Sequence, residues 1–387
     1  MENFVYCTPT KLIFGKNAIE KLPETLKPLG KKILLTYGGG SIKKIGLYDE
    51  VKRLLSDFEV YELSGIEPNP KYTTSVLDGV KLCKEHQIDA VLAVGGGSVL
   101  DCSKAICAGA LYDGEPWDLI TYKVKAKKAL PLVDVLTLAA TGSEYDSGCV
   151  ISRTETNDKV GYMDEHLFPV ASILDPQYTF SVSKKQTAAG AADAINHIME
   201  QYFCENHSEL ADGMCESAIK SLIKNAKIAL NEPENYEARG EFMVDCSLAC
   251  NGILSIGNSY SGWPCHGMEH ALSAYYDITH GEGLAILTPR WMRHILNEKT
   301  MERFVSFGTH IFGIDESLSD EQIAEKTIAA TYEMFEFFGI PMHLREVGID
   351  ESRLAEMAHH IAVNEGLDHA WAPLSENDIL DILKASL

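Results

Sequence analysis

Short apolar runs alternate with amphipathic stretches along the first half of the chain. The apolar runs have the length of buried strands and cover residues 31–37, 58–63, 89–94 and 132–138. Each of the first three is followed by residues with helical spacing of apolar positions, which end near Leu55, His86 and Gly109. Strands that alternate with helices predict an α/β domain with a mostly parallel sheet and helices on both faces.

The periodicity changes near residue 178, after which two-residue alternation almost disappears. Apolar residues then recur at helical spacing over residues 187–203, 210–230, 238–254, 267–276, 301–312, 320–338 and 352–363. We therefore predict an α/β domain over residues 1–178 and an all-α domain over residues 179–387. A chain of 387 residues is long enough for two hydrophobic cores.

Composition and charge narrow the class of protein. Apolar residues make up 45% and charged residues 23% of the chain, which is typical of a soluble globular protein. The formal charge of −22 disfavours nucleic acid and anionic membranes as partners. The ten cysteines form no CxxC pair, and the sequence lacks a signal-peptide pattern and a membrane-length apolar run. These features predict a reduced, cytoplasmic location.

A glycine-rich turn follows the third predicted strand and opens a predicted helix. It consists of Gly95, Gly96, Gly97 and Ser98. Backbone N–H groups of such a turn, together with the helix N-terminus, can bind a pyrophosphate, which predicts a dinucleotide-binding domain. Ser98 and Asp101 have the spacing of a capping box. The turn is not the GxGxxG fingerprint, and a βα turn without a ligand would have the same composition.

A second glycine turn bears on the choice of cofactor. It consists of Gly38, Gly39, Gly40 and Ser41, and it is followed by Lys43 and Lys44. An acidic side chain in such a turn commonly binds the ribose 2′-hydroxyl of NAD, whereas small or basic residues admit the 2′-phosphate of NADP. The absence of an acid therefore favours NADP(H), although a plain turn with solvated lysines has the same sequence.

Five residues of the second half have the chemistry and spacing of metal ligands. Asp193 and His197 are four residues apart, as are His266 and His270, and His280 follows ten residues later. Residues four apart share one face of a helix. A carboxylate with imidazoles suits a divalent transition metal such as Fe(II) or Zn(II). Five candidates exceed the four positions of a tetrahedral centre, so spacing alone leaves the ligand set open, and satisfied core histidines are the alternative.

These motifs together resemble the iron-containing alcohol dehydrogenases, in their butanol dehydrogenase and broad-specificity aldehyde reductase branch. The resemblance covers essentially the whole chain. Its motifs are TPTKLIFG, YGGGSIKK, GIEPNP, AVGGGSVLD, TLAATGSE, LDPQYT, AADAINHIMEQY, CHGMEH and ITHGEG. Long motifs in a fixed order along the chain make a chance match a poor explanation.

The resemblance assigns residues to roles. It implies that the metal ligands are Asp193, His197, His266 and His280, and that His270 lies close to the nicotinamide, where it is a candidate for proton transfer. It also implies cofactor contacts from the two glycine turns and from Asn69, Asp101, Thr137, Thr141, Ser143 and Lys159. NAD-using members carry an Asp where Gly38 stands here, which agrees with the preference for NADP(H).

The resemblance predicts a metal-dependent, NADP(H)-linked alcohol dehydrogenase or aldehyde reductase. It would transfer hydride between the nicotinamide and a primary alcohol or aldehyde such as butanol or butanal, and would act as a homodimer. Related alternatives are a glycerol dehydrogenase-like or dehydroquinate synthase-like enzyme, and the latter needs more Lys and Arg around its substrate than the His segments here offer. A nucleotide- or metal-binding protein without catalysis is the alternative from another class, and a missing ligand would indicate it.

Overall fold

The computed structural model describes residues 1–387, which form two compact units. The α/β unit comprises Cys7–Val182 and Glu232–Asn251. The helical unit comprises Met1–Tyr6, Ser183–Asn231 and Gly252–Leu387. This organisation confirms the predicted fold class, a mostly parallel α/β part followed by a helical part.

The α/β unit contains all eight strands of the chain. They are β1 (Lys11–Phe14), β2 (Lys32–Tyr37), β3 (Glu59–Leu63), β4 (Ala90–Gly95), β5 (Leu132–Leu136), β6 (Gly148–Arg153), β7 (Asp158–Met163) and β8 (Ala171–Leu174). Six form a parallel sheet in the order β1-β8-β5-β4-β2-β3, while β6 and β7 form an antiparallel hairpin. The four predicted strands correspond to β2–β5. Strands β1 and β8 are apolar but only four residues long, and the hairpin has no continuous apolar pattern.

Fifteen α-helices complete the fold. They are α1 (Leu22–Leu26), α2 (Ser41–Lys44), α3 (Leu47–Leu54), α4 (Leu77–His86), α5 (Gly97–Ala110), α6 (Trp117–Ile120), α7 (Lys184–Tyr202), α8 (Glu209–Asn231), α9 (Tyr236–Ala249), α10 (Pro264–Tyr276), α11 (His280–Ile295), α12 (Met301–Phe312), α13 (Asp320–Phe337), α14 (Leu354–Asn364) and α15 (Glu376–Ala385). Helices α1–α6 and α9 belong to the α/β unit, and the others belong to the helical unit. The domain boundary at residue 178 stays a prediction. In the structure, α9 belongs to the α/β unit although it follows that boundary in the sequence.

Helix α11 was not predicted, although it carries a candidate ligand as its first residue. It contains Gly281, Gly283 and Pro289, which are poor helix formers. Tertiary packing overrides these local preferences, because most of the helix is buried.

None of the helices has the length and apolar character that a membrane-spanning segment requires.

The order of the strands brings the two glycine turns to one edge of the sheet. The chain leaves β2 for the outer strand β3 and then returns to form β4 on the other side of β2. Tyr37 at the end of β2 pairs with Val94, next to the end of β4. Parallel sheets bind ligands beyond the carboxyl ends of their strands, where the strand order reverses in this way.

The strands that carry these turns are fixed by a buried core. Ile33 and Leu35 of β2, Leu92 of β4 and Val135 of β5 belong to one apolar cluster with residues of α1 and α3. All of β4 and β5 is buried. Burial on both faces explains why these strands appear in the sequence as apolar runs, interrupted only by the buried Asp134 of β5.

Candidate metal centre and dinucleotide site

Three helices of the helical unit bring the four predicted metal ligands together. Asp193 and His197 lie one turn apart on α7, His266 lies in the first turn of α10, and His280 begins α11. Asp193, His197 and His266 are buried, and the side chain of His280 is 23% exposed. The site is thus built from rigid helices and is enclosed except near His280.

Three imidazole nitrogens surround one carboxylate oxygen. Asp193 Oδ1 lies 3.5 Å from Nε2 of His197 and 3.7 Å from Nε2 of both His266 and His280. Neighbouring ligands of a tetrahedral ion with bonds of about 2.1 Å lie about 3.4 Å apart. The ligand atoms of Asp193, His266 and His280 all lie within 4.8 Å of one another. His197 is outside that group of three, and its ring stacks on that of His266 at 4.6 Å.

Unpartnered buried atoms test whether a cation suits this site. Asp193 Oδ1 and His266 Nε2 are buried and have no hydrogen-bond partner. An unsatisfied buried polar atom costs about 1–3 kcal/mol, so native proteins seldom keep two of them face to face. A divalent cation accepts electron pairs from both atoms at once. The donor set therefore fits a metal ion such as Fe(II) or Zn(II).

Burial and neighbouring charges separate the pKa values of these groups. Burial lowers the pKa of His197 to about 3, which keeps it in the neutral form that a metal requires. Burial opposes ionisation of Asp193, but His197 and the other two histidines outweigh it and lower the pKa of that carboxyl. For His266, burial favours the neutral ring, yet Glu200 and Asp193 raise its pKa to about 9.

Two glutamates that sequence reasoning missed contact the Nδ1 atoms of two of the predicted ligand histidines. Glu200 contacts Nδ1 of His266, and Glu269 contacts Nδ1 of His280. Glu200 lies seven residues after Asp193 on α7, and Glu269 lies three residues after His266 on α10. Helical spacing placed both on the faces that carry the ligands, and that signal could have identified them.

His270 lies one turn beyond His266 on α10 and outside the group of ligand atoms. Its Nδ1 is 3.8 Å from Glu365 Oε2, and its ring centroid is 6.0 Å from that of His280. The side chain of His270 is 13% exposed. A catalytic role for His270 therefore stays a prediction.

Gly281 allows α11 to approach α7 closely beside the candidate metal ligands. A Cβ atom at this position would lie 2.0 Å from the carbonyl oxygen of Ala189. We expect Gly281→Ala to destabilise the chain by about 3 kcal/mol, because the obstacle is backbone rather than a movable side chain. Displacement of His280 should also weaken metal retention. Thermal unfolding and bound metal per chain measure the two effects.

Gly213 provides the matched control, since it also lies inside a helix. A Cβ atom there meets nothing within 4 Å. Gly213→Ala should stabilise the chain by up to about 1 kcal/mol through helix propensity alone. Equal unfolding temperatures for the two variants would contradict the role given to the close approach.

In the α/β unit, the glycine turn after β4 packs against the segment after β5. A Cβ atom on Gly97 would lie 2.5 Å from Thr141 Oγ1, and one on Gly96 would lie 3.0 Å from Leu138 Cβ. The backbone N–H of Thr137 donates to the carbonyl of Gly95 at 2.9 Å. The structure thus brings together the predicted pyrophosphate turn and two other predicted cofactor residues, Thr137 and Thr141.

Asp101 has a different role from the capping box predicted for it. Helix α5 begins after Gly96 and has no side-chain cap. The Asp101 carboxylate instead accepts the Ser143 hydroxyl at 2.7 Å and the Val150 N–H at 3.0 Å. Ser98 therefore lies inside the first turn of the helix, and the capping-box interpretation is wrong. A helix N-terminus without a side-chain cap is suited to an anionic ligand.

In the glycine turn after β2, packing requires a glycine at one position and leaves free space at two others. A Cβ atom on Gly38 would lie 3.2 Å from the carbonyl oxygen of Ile66, whereas Gly39 and Gly40 have nothing within 4 Å. Gly40 has φ 104°, in the left-handed region. Lys43 Nζ lies 4.7 Å from the centre of the Tyr48 ring, and Lys44 is exposed. Packing against Ile66 thus explains the glycine at position 38, whereas a side chain or a ligand group could fit beside Gly39 and Gly40.

Asn69 and Lys159 are connected through strand β6 of the hairpin. Asn69 has φ 49°, and the carbonyl of the following Pro70 accepts the N–H of Ser152 at 2.9 Å. Ser152 of β6 pairs with Lys159 of β7, whose side chain is buried. The segment that follows Asn69 and the strand that carries Lys159 therefore both flank Ser152 of β6.

Two family models match the chain in succession. "Iron-containing alcohol dehydrogenase" matches residues 9–176, and "Fe-containing alcohol dehydrogenase family, C-terminal" matches residues 187–387. Together they cover nearly the whole sequence.

Individual proteins resemble the chain over its full length. It is 47% identical to NADH-dependent butanol dehydrogenase A of Clostridium acetobutylicum over 100% of both chains. It is 38% identical to the NADPH-dependent aldehyde reductase YqhD of Escherichia coli, over 97% of this chain and 96% of that protein. The crystal structure of NADH-dependent butanol dehydrogenase A from Thermotoga maritima superposes with a TM-score of 0.95 at 39% identity, covering 100% and 99% of the two chains.

Proposed function

We infer that this chain, which belongs to the iron-containing alcohol dehydrogenase family, is a metal-dependent oxidoreductase that uses NADP(H). Its substrates would be primary alcohols and aldehydes such as butanol and butanal. Alcohol dehydrogenase activity is supported by the family and by the butanol dehydrogenase and aldehyde reductase relatives. The observation that carries the metal-dependent part is the close set of Asp193, His266 and His280 donor atoms, of which the first two residues are buried and His280 is partly buried.

We assign the metal to Asp193, His197, His266 and His280. When bound, a divalent cation supplies a Lewis acid that lowers the pKa of an alcohol or polarises an aldehyde carbonyl. Asp193 is the only anionic residue of the four proposed ligands, so the ligand set itself would not neutralise a divalent cation. The 23% exposed side chain of His280 marks where the enclosure is incomplete.

We assign the dinucleotide to the carboxyl edge of the parallel sheet. The turn of Gly95, Gly96, Gly97 and Ser98 would hold the pyrophosphate by backbone N–H groups, which suits a chain with a formal charge of −22. Further contacts are proposed for Asn69, Asp101, Thr137, Thr141, Ser143 and Lys159. Asp101 would act by fixing Ser143, whose hydroxyl it accepts at 2.7 Å.

His270 is proposed to hold or transfer the proton of the alcohol. Imidazole suits this task because its ordinary pKa lies near neutrality. Its position one turn beyond His266, with the ring 6.0 Å from His280, supports the assignment.

We further propose a cytoplasmic homodimer, with a dinucleotide-binding domain to residue 178 and a metal-binding domain after it.

The preference for NADP(H) can be measured directly. The open space at Gly39 and Gly40 and the absence of an acid in that turn support it. We expect kcat/KM for butanal to be at least about tenfold higher with NADPH than with NADH, a difference of about 1.4 kcal/mol. Initial rates with each cofactor test this, and a preference for NADH would refute it.

A variant pair at Gly39 tests the electrostatic reason. Gly39→Asp places a carboxylate where the 2′-phosphate is proposed to lie, and should lower the NADPH to NADH ratio by about tenfold or more. Gly39→Ala adds the same Cβ atom without the charge and should leave the ratio near that of the wild type. Equal ratios in both variants would show that another part of the chain selects the cofactor.

The proposed activity is tested with a panel of primary alcohols and aldehydes and both cofactors. Metal-loaded chain should reduce butanal and oxidise butanol. If neither cofactor supports turnover of any member of the panel, the proposed function is wrong.

A further inference from the structure

Two carboxylates lie behind the candidate ligands, deep inside the helical unit. Glu200 contacts Nδ1 of His266, and Glu269 contacts Nδ1 of His280. The side chains of both glutamates are 0% exposed. Glutamate is almost never fully buried unless it is paired, so both positions require an explanation.

Resting on the metal-dependent function proposed above, we propose that Glu200 and Glu269 are positioning residues for the metal ligands. Each accepts the Nδ1–H of one imidazole and thereby leaves the lone pair of Nε2 directed at the centre. Both Nε2 atoms lie 3.7 Å from Asp193 Oδ1, which agrees with that direction. An acceptor on Nδ1 also increases the electron-donating strength of Nε2.

Each glutamate is itself held at its second oxygen. Glu200 Oε1 accepts the backbone N–H of Cys265 at 2.6 Å. Glu269 Oε1 accepts the hydroxyl of Ser273. A carboxylate fixed at both oxygens cannot swing away, so the orientation of the imidazole is set by the backbone of α10 and by Ser273.

The two anchors differ in their chemistry, and this difference predicts unequal effects of substitution. The backbone N–H of Cys265 can only donate, whereas the hydroxyl of Ser273 can donate or accept. In Glu269→Gln, the amide oxygen can face His280 while the NH₂ group donates to Ser273. In Glu200→Gln, the NH₂ group must face either Cys265 N–H or His266 Nδ1–H, which are both donors.

Affinity for Co(II) measures the proposed role without relying on turnover. The full-length chain is stripped with chelator and titrated with Co(II) against a chromophoric chelator, and the visible absorption of bound Co(II) is recorded. We expect Glu200→Gln and Glu269→Ala to weaken Co(II) binding by about 10–100-fold and to change the absorption bands. Glu269→Gln should stay within about threefold of the wild type, because its hydrogen bonds can be kept.

Asp212→Asn separates positioning from general stability. Asp212 is a buried acid of the same unit that pairs with Arg303 at 2.7 Å, and the two residues lie on α8 and α12, which carry none of the proposed ligands. This variant should unfold at a lower temperature yet bind Co(II) with unchanged affinity and spectrum. If Glu200→Gln does not fold, the contrast between Glu269→Ala and Glu269→Gln decides alone.

The outcomes distinguish the two proposals. Wild-type affinity and spectrum in both Glu200→Gln and Glu269→Ala, beside a wild-type chain that binds one Co(II), would overturn only the positioning role. A wild-type chain that binds no Co(II) would overturn the metal-dependent function, and the positioning role with it.

Discussion

Replacing His266 with alanine is expected to abolish metal retention and to lower butanal turnover by at least about 10³-fold. His266 Nε2 is a buried atom without a hydrogen-bond partner and faces Asp193 Oδ1 at 3.7 Å. Its removal leaves three ligands and also leaves Glu200 without its imidazole partner. Elemental analysis of the purified variant and initial rates with NADPH measure the two effects.

His270→Ala is the matched control for this variant. His270 lies on the same helix, one turn away, and its Nδ1 faces Glu365 rather than Asp193. We expect this variant to keep one metal ion per chain and to lose turnover only. Full metal retention by His266→Ala, or loss of metal from His270→Ala, would contradict the assignment of the ligands.

Lys104→Met is expected to destabilise the chain by about 3–5 kcal/mol, because it leaves a buried carboxylate without its cation. Lys104 is fully buried, and its Nζ donates to Asp146 Oδ1 at 2.6 Å, to Asp146 O at 3.0 Å and to Gly148 O at 2.7 Å. Burial raises the pKa of Asp146, although Lys104 opposes that rise. The free energy of unfolding in urea, followed by circular dichroism, measures the loss.

Lys52→Met removes a comparable pair at the surface. Lys52 Nζ lies 2.9 Å from Glu62 Oε1, and the two side chains are 38% and 28% exposed. Solvent screens this pair, so the expected loss is at most about 1 kcal/mol. Equal losses of unfolding free energy in the two lysine variants would show that burial does not strengthen the Lys104 pair.

Lys104→Met should also weaken NADPH binding, since Lys104 fixes the segment just after Ser143.

Strand and helix periodicity predicted most of the architecture, and its failures have physical causes. The strands β2, β4 and β5 were predictable because they are almost entirely buried and nearly continuously apolar, whereas β3 is a partly exposed edge strand with a short alternating pattern. Helix α11 was not, because Gly281, Gly283 and Pro289 disfavour a helix until α7 packs against it. Membership of α9 in the α/β unit depends on contacts distant in sequence, such as Gly142 against Cys246, which no local pattern contains.

The candidate site was predictable to a different degree in each half. Spacing gathered five possible ligands, and the family resemblance selected four, of which Asp193, His266 and His280 form the tightest group. The capping-box role predicted for Asp101 was wrong because its carboxylate accepts hydrogen bonds from Ser143 and Val150, more than 40 residues away. Glu200 and Glu269 were missed because buried glutamates have no distinctive local pattern beyond helical spacing.

Metal removal and return is the most direct test of a metal-dependent alcohol dehydrogenase built on Asp193, His197, His266 and His280. The chain is purified, analysed for iron and zinc, stripped with chelator, assayed with butanal and NADPH, and then assayed again after Fe(II) or Zn(II) is restored. We predict about one ion per chain, loss of turnover in step with the loss of metal, and recovery when the ion returns. Full turnover by a chain that has been shown to hold no metal would contradict the account.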